Sequence, residues 1–385
     1  MKKTKILLKS IVNKRAFRSK ISSLKRKFRN SIDSAGWEVR ETLLYKLHNA
    51  KHPNISNARK RFKKVANKRV ILKAPKFIDY YNDGNIDVTN RFLGVLRNCV
   101  GTSKRRVFID FSETKLISAA AMLSFLAEVD VLTKKSNDGV NSISFAHPKD
   151  EKIESILKQV GFYDLLKKEK RETKEYEDVV FWKYTSGICS EPMLASEMIR
   201  DIKKELEAKN SRKLYRGFIE AMSNSVEHAY IDDNEHNIEE KTAKWWTFAG
   251  IKDSNLIVVI CDKGVGIPAT LPKTQGVTFL TNFFKNIGIS LHNVRDSTYI
   301  KTAAMLAKTR TGQVHRGKGL TDITSVIDSI GVGVLSIFSN NGRYIYKGNQ
   351  GVVRELVKDY KSSVCGTIIE WSIPFEAEVK ENDSN

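Results

Sequence analysis

No stretch of this 385-residue chain approaches 18 uninterrupted apolar residues, which excludes a transmembrane helix of ordinary length. The start of the chain has neither the apolar core nor the small-residue cleavage site of a secretory signal. Cysteine is scarce. Cys99, Cys189, Cys261 and Cys365 stand singly with no CxxC pair, arguing against a disulfide framework and against a cysteine-based zinc site. These absences lead to the expectation of a soluble, cytoplasmic protein. Acidic residues are nearly missing from residues 1–76, where Asp33, Glu38 and Glu41 face 24 Lys and Arg. The other 309 residues carry 42 basic and 41 acidic side chains, so almost all of the net charge of +22 belongs to the first 76. With 41% apolar and 29% charged residues, the chain can bury a core and fill two or three domains.

The basic arm, residues 1–76, is not of low complexity. Leu7, Leu8, Ile11, Phe17, Ile21 and Leu24 fall at roughly helical spacing, and Trp37–Leu47 reads as a short amphipathic helix. A second basic run, RKRFKKVANKR, covers Arg59–Arg69. Such an arm neutralises phosphates on DNA or RNA with strong salt dependence and little sequence preference. It fits an anionic membrane surface or an acidic protein as well, and a solvated extension has the same composition.

From residue 77 to 185 strand-like and helix-like stretches alternate. RVFIDF (Arg106–Phe111) suits a buried strand, Ile117–Leu132 has helical periodicity, SISFA (Ser142–Ala146) reads as a strand, and Glu151–Leu166 as a helix interrupted at Gly161. That alternation predicts a parallel βαβ arrangement.

Residues 190–385 hold the strongest chemical signals. Leu214–Tyr230 (LYRGFIEAMSNSVEHAY) reads as one helix with apolar positions 218, 221, 222 and 229 on one face, and Glu220, Asn224 and His228 on another. A carboxylate one turn from a carboxamide suits metal-assisted phosphoryl chemistry, the amide oxygen ligating Mg²⁺ and the carboxylate polarising a water. The apolar run LIVVIC (Leu256–Cys261) predicts a buried strand that ends in DKGVGIP, placing Asp262 at its mouth with Gly264 and Gly266 behind it. A carboxylate there can accept from an amino group in a cleft, and the glycines permit close backbone approach or φ > 0. GQVHRGKGL (Gly312–Leu320) puts Gly317 and Gly319 directly before an amphipathic helix that stops at Gly331, with Lys318, Arg316 and Arg310 adding charge. Glycine-rich backbone at a helix start offers N–H groups and a positive dipole end to phosphates. Gly366-Thr367 opens a final strand over Ile368–Ile373, and Asn340-Asn341-Gly342 reads as a hairpin turn.

In that order EAMSNSVEHAY, DKGVGIP, RGKGL and GT resemble the nucleotide-binding motifs of the GHKL superfamily, the histidine kinase-like ATPases of the Bergerat fold. The resemblance implies an ATP- and Mg²⁺-binding α+β sandwich over 190–385. It implies Glu220 as catalytic base, Asn224 as metal ligand and Asp262 on the adenine amino group. His228, Gly264, Gly266, Arg310, Arg316, Gly317, Lys318, Gly319, Leu320 and Thr367 would line the nucleotide, and residues 269–316 would form a long movable lid. Upstream, VFIDFSETKLISAAAMLSFL and ISFAHPKDEKIESILKQVGFYDLL resemble STAS domains, the fold of anti-sigma-factor antagonists, with Ala120 at the position of the family's phosphorylatable serine and Ser118 as the nearby hydroxyl. The expected whole is α/β: a basic arm (1–76), a STAS-like α/β domain (77–185) and a Bergerat-fold domain (190–385).

Glu220 resembles the ATPases and serine kinases, where histidine kinases commonly have a non-acidic residue. Only about a dozen residues follow the final strand, which points away from the gyrase, MutL and chaperone classes with their transducer domains. The expected function is a slow ATPase switch acting on a protein partner, a second copy of the chain or nucleic acid. A serine kinase of anti-sigma type and a non-catalytic ATP-sensing module remain as alternatives.

Overall fold

The fold is that of a computed structural model, which describes residues 16, 18–27, 43, 46–47, 69–174, 176, 179–181, 184–189, 208–230, 244–309 and 319–374. In chain order the first elements are β1 (Val70–Lys73), β2 (Phe77–Ile78), α1 (Asp83–Arg97), β3 (Val107–Asp110), β4 (Leu116–Ile117), α2 (Ala119–Lys135) and β5 (Ile143–Ala146). Next come α3 (Glu151–Gln159), α4 (Phe162–Leu165), β6 (Val179–Phe181), β7 (Thr185–Gly187), α5 (Ala208–Glu227), β8 (Trp245–Lys252) and β9 (Asn255–Cys261). Last are α6 (Ile267–Gln275), α7 (Val277–Asn286), α8 (Asp296–Thr309), α9 (Gly319–Ile330), β10 (Gly333–Ser339), β11 (Gly342–Asn349), β12 (Val352–Asp359) and β13 (Thr367–Pro374). The chain is mixed α/β, as expected. Among the described residues no helix is long and apolar enough to cross a membrane.

Two compact units result. One comprises Met1–Leu72, Val95–Ile109 and Leu132–Phe145, the other Lys73–Gly94, Asp110–Val131 and Ala146–Asn385. The first holds most of a three-stranded sheet of order β1-β3-β5. The Val70 N–H donates to the Arg106 carbonyl and the Ala74 N–H to that of Asp110, an advance in step that marks a parallel pair. The Arg69 guanidinium donates to the carbonyls of Val107 and Asn141 at 3.3 and 3.1 Å. The arm therefore ends earlier than residue 76: its last residues are a strand, because VILK alternates with neighbours it can pair. Within the rest of the arm the described residues 18–27 are helical, while Arg59–Lys68 lies outside the described residues.

In the second unit an antiparallel sheet runs β12-β11-β10-β13-β9-β8-β6, with β7 also on β8. The register fixes two faces. Trp245, Val258, Ile260, Leu335, Ile337, Ile369 and Trp371 meet Leu214, Phe218 and Met222 of α5, Ile323, Val326 and Ile327 of α9, and Ile300 and Ala304 of α8 in one apolar core. Helix α5 forms where predicted, with residues 218, 221, 222 and 229 all buried. It packs closely on α9 at Gly217, where an added Cβ would stand 3.1 Å from the Asp322 carbonyl.

The opposite face is not left to solvent. Arg343, Phe338, Ile368, Cys261 and Trp246 lie in register across five strands, and Ser336, Glu370, Val259 and Phe248 in the next row. All nine are buried, and α2 supplies much of the cover. From Ala119 to Asp130 every residue of this helix is buried, the mostly apolar run carrying Ser124, Glu128 and Asp130 in with it. The Trp246 indole donates to Asp130 Oδ2 at 2.9 Å, and the Tyr81 hydroxyl to Glu370 Oε2 at 2.8 Å. Phe111, Phe125 and Phe162 stack edge-on or tilted behind α2, with Phe92 of α1 beside Phe125. Residues 77–94 and 110–131, read from the sequence as part of a separate domain, thus share a unit with 190–385. At the far edge, β12 leaves Val352, Val353, Leu356 and Val357 exposed.

Candidate functional site

Strand β9 delivers its last residues into a loop that α5, β10 and β13 hold from three sides. Asp262, 5% exposed, accepts on Oδ1 from the amides of Gly264 at 2.9 Å and Thr367 at 3.2 Å. Burial pushes its carboxyl up to about 6, against the pull of those two amides and of Lys263. The Asp262 N–H in turn donates to the Thr367 carbonyl. Sequence reading placed Asp262 and Thr367 at one site, and they touch.

The glycines have different reasons. An added Cβ on Gly264 would stand 2.0 Å from the Ala229 carbonyl oxygen, so the approach that demands glycine here is by the end of α5 and not by a ligand. Gly266 takes φ +82°, a conformation costly for side chains. The Val265 N–H donates to Ala229 at 2.8 Å and the Lys263 N–H to the Tyr230 hydroxyl at 3.2 Å, fastening the loop to the last turn after α5. Asn340 Nδ2 donates to the Val265 carbonyl at 2.8 Å, and the Ile267 N–H to Ser339 Oγ at 2.8 Å, fastening it to the β10–β11 turn. Ser339 Oγ and Thr367 Oγ1 are 3.0 Å apart. Sequence reasoning flagged Asn340 only as a turn residue and missed Ser339, because neither carries a motif.

On α5, Glu220 and Asn224 lie one turn apart on one face, as their i, i+4 spacing suggested. Burial raises the Glu220 carboxyl, and the charges of Asp322 and Glu227 raise it further, while the Asn224 amide opposes. Asp322 of α9 was not singled out by sequence. His228 falls one residue past the helix, its N–H still bonded to the Asn224 carbonyl at 3.0 Å, its side chain half-buried. Gly319 opens α9 as predicted, with Leu320 next. Arg310, Arg316, Gly317 and Lys318 lie outside the described residues.

The long lid expected over 269–316 is corrected. Residues 267–309 form α6, α7 and α8 around a small core of Leu271, Leu280, Phe284, Ala303 and Leu306. The start of α8 is tied down, with Ser297 N and Oγ donating to Asp359 at 3.0 and 2.6 Å and Asp296 Oδ2 accepting from the Asn341 N–H at 2.9 Å. Apolar residues at helical spacing and two turn carboxylates build an ordered layer over 267–309, and residues 310–316 of the expected lid lie outside the described residues.

Ser118, the hydroxyl nearest Ala120, is buried and accepts from the Tyr80 N–H at 3.1 Å. Compared with known proteins, the chain matches no family model and no curated protein.

Proposed function

We propose that residues 190–385 form a Bergerat-type ATP- and Mg²⁺-binding domain of GHKL kind, working as a slow ATPase switch, with the STAS-like segment and the basic arm as its upstream elements. The observation that carries the reading is the pairing of the Glu220–Asn224 couple on α5 with a buried Asp262 on a loop that the end of α5 holds. Asp262 offers its carboxylate to the adenine amino group. Asn224 presents its amide oxygen to the metal, and Glu220, its carboxyl made more basic by burial and Asp322, draws the proton from an attacking water. Bound Mg²⁺ would neutralise charge on the phosphates. Gly319 at the start of α9 gives the phosphates a helix N-terminus. The arm, with its 21 Lys and Arg against three acids before Arg69, carries the contact with DNA or RNA.

Calorimetry of ATP–Mg²⁺ binding with Asp262→Asn, and phosphate release with Glu220→Ala, test the assignment. Asp262→Asn is expected to lose measurable affinity, and parental affinity itself to fall as pH drops through about 6, where Asp262 takes up its proton. Glu220→Ala is expected to bind normally and to lose about 10²–10⁴ in rate. Affinity within about twofold of the parent for Asp262→Asn refutes the site. Phosphate on a protein serine in place of free phosphate moves the reading to the kinase, and absence of turnover to a sensing module.

A further inference from the structure

Three consecutive residues at the end of β9 face alternately. Asp262 turns to the candidate nucleotide site. Its two neighbours turn to α2, the Cys261 thiol lying 4.0 Å from the Leu123 carbonyl. Lys263 Nζ donates to Ser124 Oγ at 2.8 Å and to the Val364 carbonyl at 3.4 Å, and stands 3.8 Å from Glu128 Oε2. The Lys263 and Glu128 side chains are 9% and 4% exposed, so both charges are out of water. A buried ammonium without its partners is costly, and among the described residues its ion-pair carboxylate comes from α2, as does one of its two neutral acceptors. The backbone N–H of the same lysine donates to Tyr230, at the end of the helix that carries Asn224. One residue therefore joins the loop that bears Asp262, the turn after α5, and α2.

We infer that Lys263 is a positioning residue that couples nucleotide occupancy of the Asp262 loop to the seating of α2 on the sheet. The coupling rests on the ATP-binding reading and names how that site is regulated: α2 is the element that reads it. When α2 is seated, Glu128 and Ser124 hold Lys263 and the loop is shaped for the nucleotide. A nucleotide that fixes the loop in turn favours seated α2, since coupling between two sites is reciprocal. A lysine serving only as packing would stabilise the fold without linking the two events.

Hydrogen exchange on the full chain, with and without ATP–Mg²⁺, separates these. ATP is expected to slow amide exchange across residues 119–131 in the parent. Lys263→Met is expected to abolish that protection and to weaken ATP binding by roughly fivefold or more, the scale of ordinary allosteric coupling. Glu128→Gln, on α2 and outside the loop itself, should do the same, and the double variant should be no worse than the worse single one. If Lys263→Met does not fold, Glu128→Gln and Ser124→Ala carry the test. ATP binding in the parent without protection of α2, or additive losses in the double variant, overturns the coupling and leaves the nucleotide site standing. No ATP binding by the parent refutes the site, and the coupling with it.

Discussion

Glu370 is a carboxylate on the outer sheet face at the start of α2, 4% exposed, accepting from the Tyr81 hydroxyl and near Arg343 and the Ala120 amide. Burial pushes its carboxyl from 4.5 up to about 7, although Tyr81, Arg343 and Ala120 all favour the ionised form. A carboxyl raised in the folded state holds its proton more tightly there than in the unfolded chain. Its contribution to stability is complete below the ordinary value of 4.5 and is lost as pH rises through about 7. At 1.36 kcal/mol per pH unit the loss is about 3 kcal/mol. Glu370→Gln keeps the shape and an acceptor for both donors but removes the titration. In urea unfolding followed by tryptophan fluorescence at pH 5, 6, 7 and 8, the stability of the variant relative to the parent is expected to climb by about 3 kcal/mol across the series, mostly between pH 5 and 7. Parallel pH dependences in the two proteins, or a variant that falls behind as pH rises, refute the account of a carboxylate ionised at a cost under α2.

Gly264→Ala places a methyl 2.0 Å from a backbone carbonyl that has no room to retreat, and is expected to cost more than the roughly 1–3 kcal/mol of ordinary overpacking. Gly94→Ala, inside α1 with nothing within 4 Å of the new carbon, is expected to add about 0.5–1 kcal/mol, and thermal unfolding of the pair checks both signs. Removing residues 1–68, which spares β1, is expected to abolish most affinity for duplex DNA or RNA while ATP binding persists. In the full chain that affinity should fall with a slope near −0.9 per phosphate neutralised, and fluorescence anisotropy over a salt series showing a flat response points to an acidic protein instead.

Most of the fold was legible because periodicity and punctuation agree in these elements. LIVVIC formed a buried strand, Asn340-Asn341-Gly342 turned the hairpin, Gly161 broke the α3–α4 helix in a left-handed conformation, and Leu320 began an amphipathic helix that stops at Gly331. At the site, Glu220 and Asn224 share a face of α5 as their spacing implied, and Asp262 meets the amide of Thr367, which the motif order had put at the same site. What stayed hidden depends on contacts between residues far apart in sequence. Nothing local in DKG says that Lys263 points away from its neighbour toward Ser124, 139 positions earlier. The mostly apolar Ala119–Val129 announces burial but not the surface that buries it. The lid was misread because a segment between two nucleotide motifs was assigned by its place in the order, while Leu271, Leu280 and Phe284 already gave it a core of its own.

The seating of α2 on the outer sheet face also sets terms for any other molecule seeking that face. A tethered helix competes at a local concentration of about millimolar, whatever the concentration of the protein. A separate ligand of micromolar affinity, present at micromolar levels, would be outcompeted by the chain's own segment. Access would belong to molecules that first loosen α2, or that bypass it at the β12 edge, where Val352, Val353, Leu356 and Val357 face solvent.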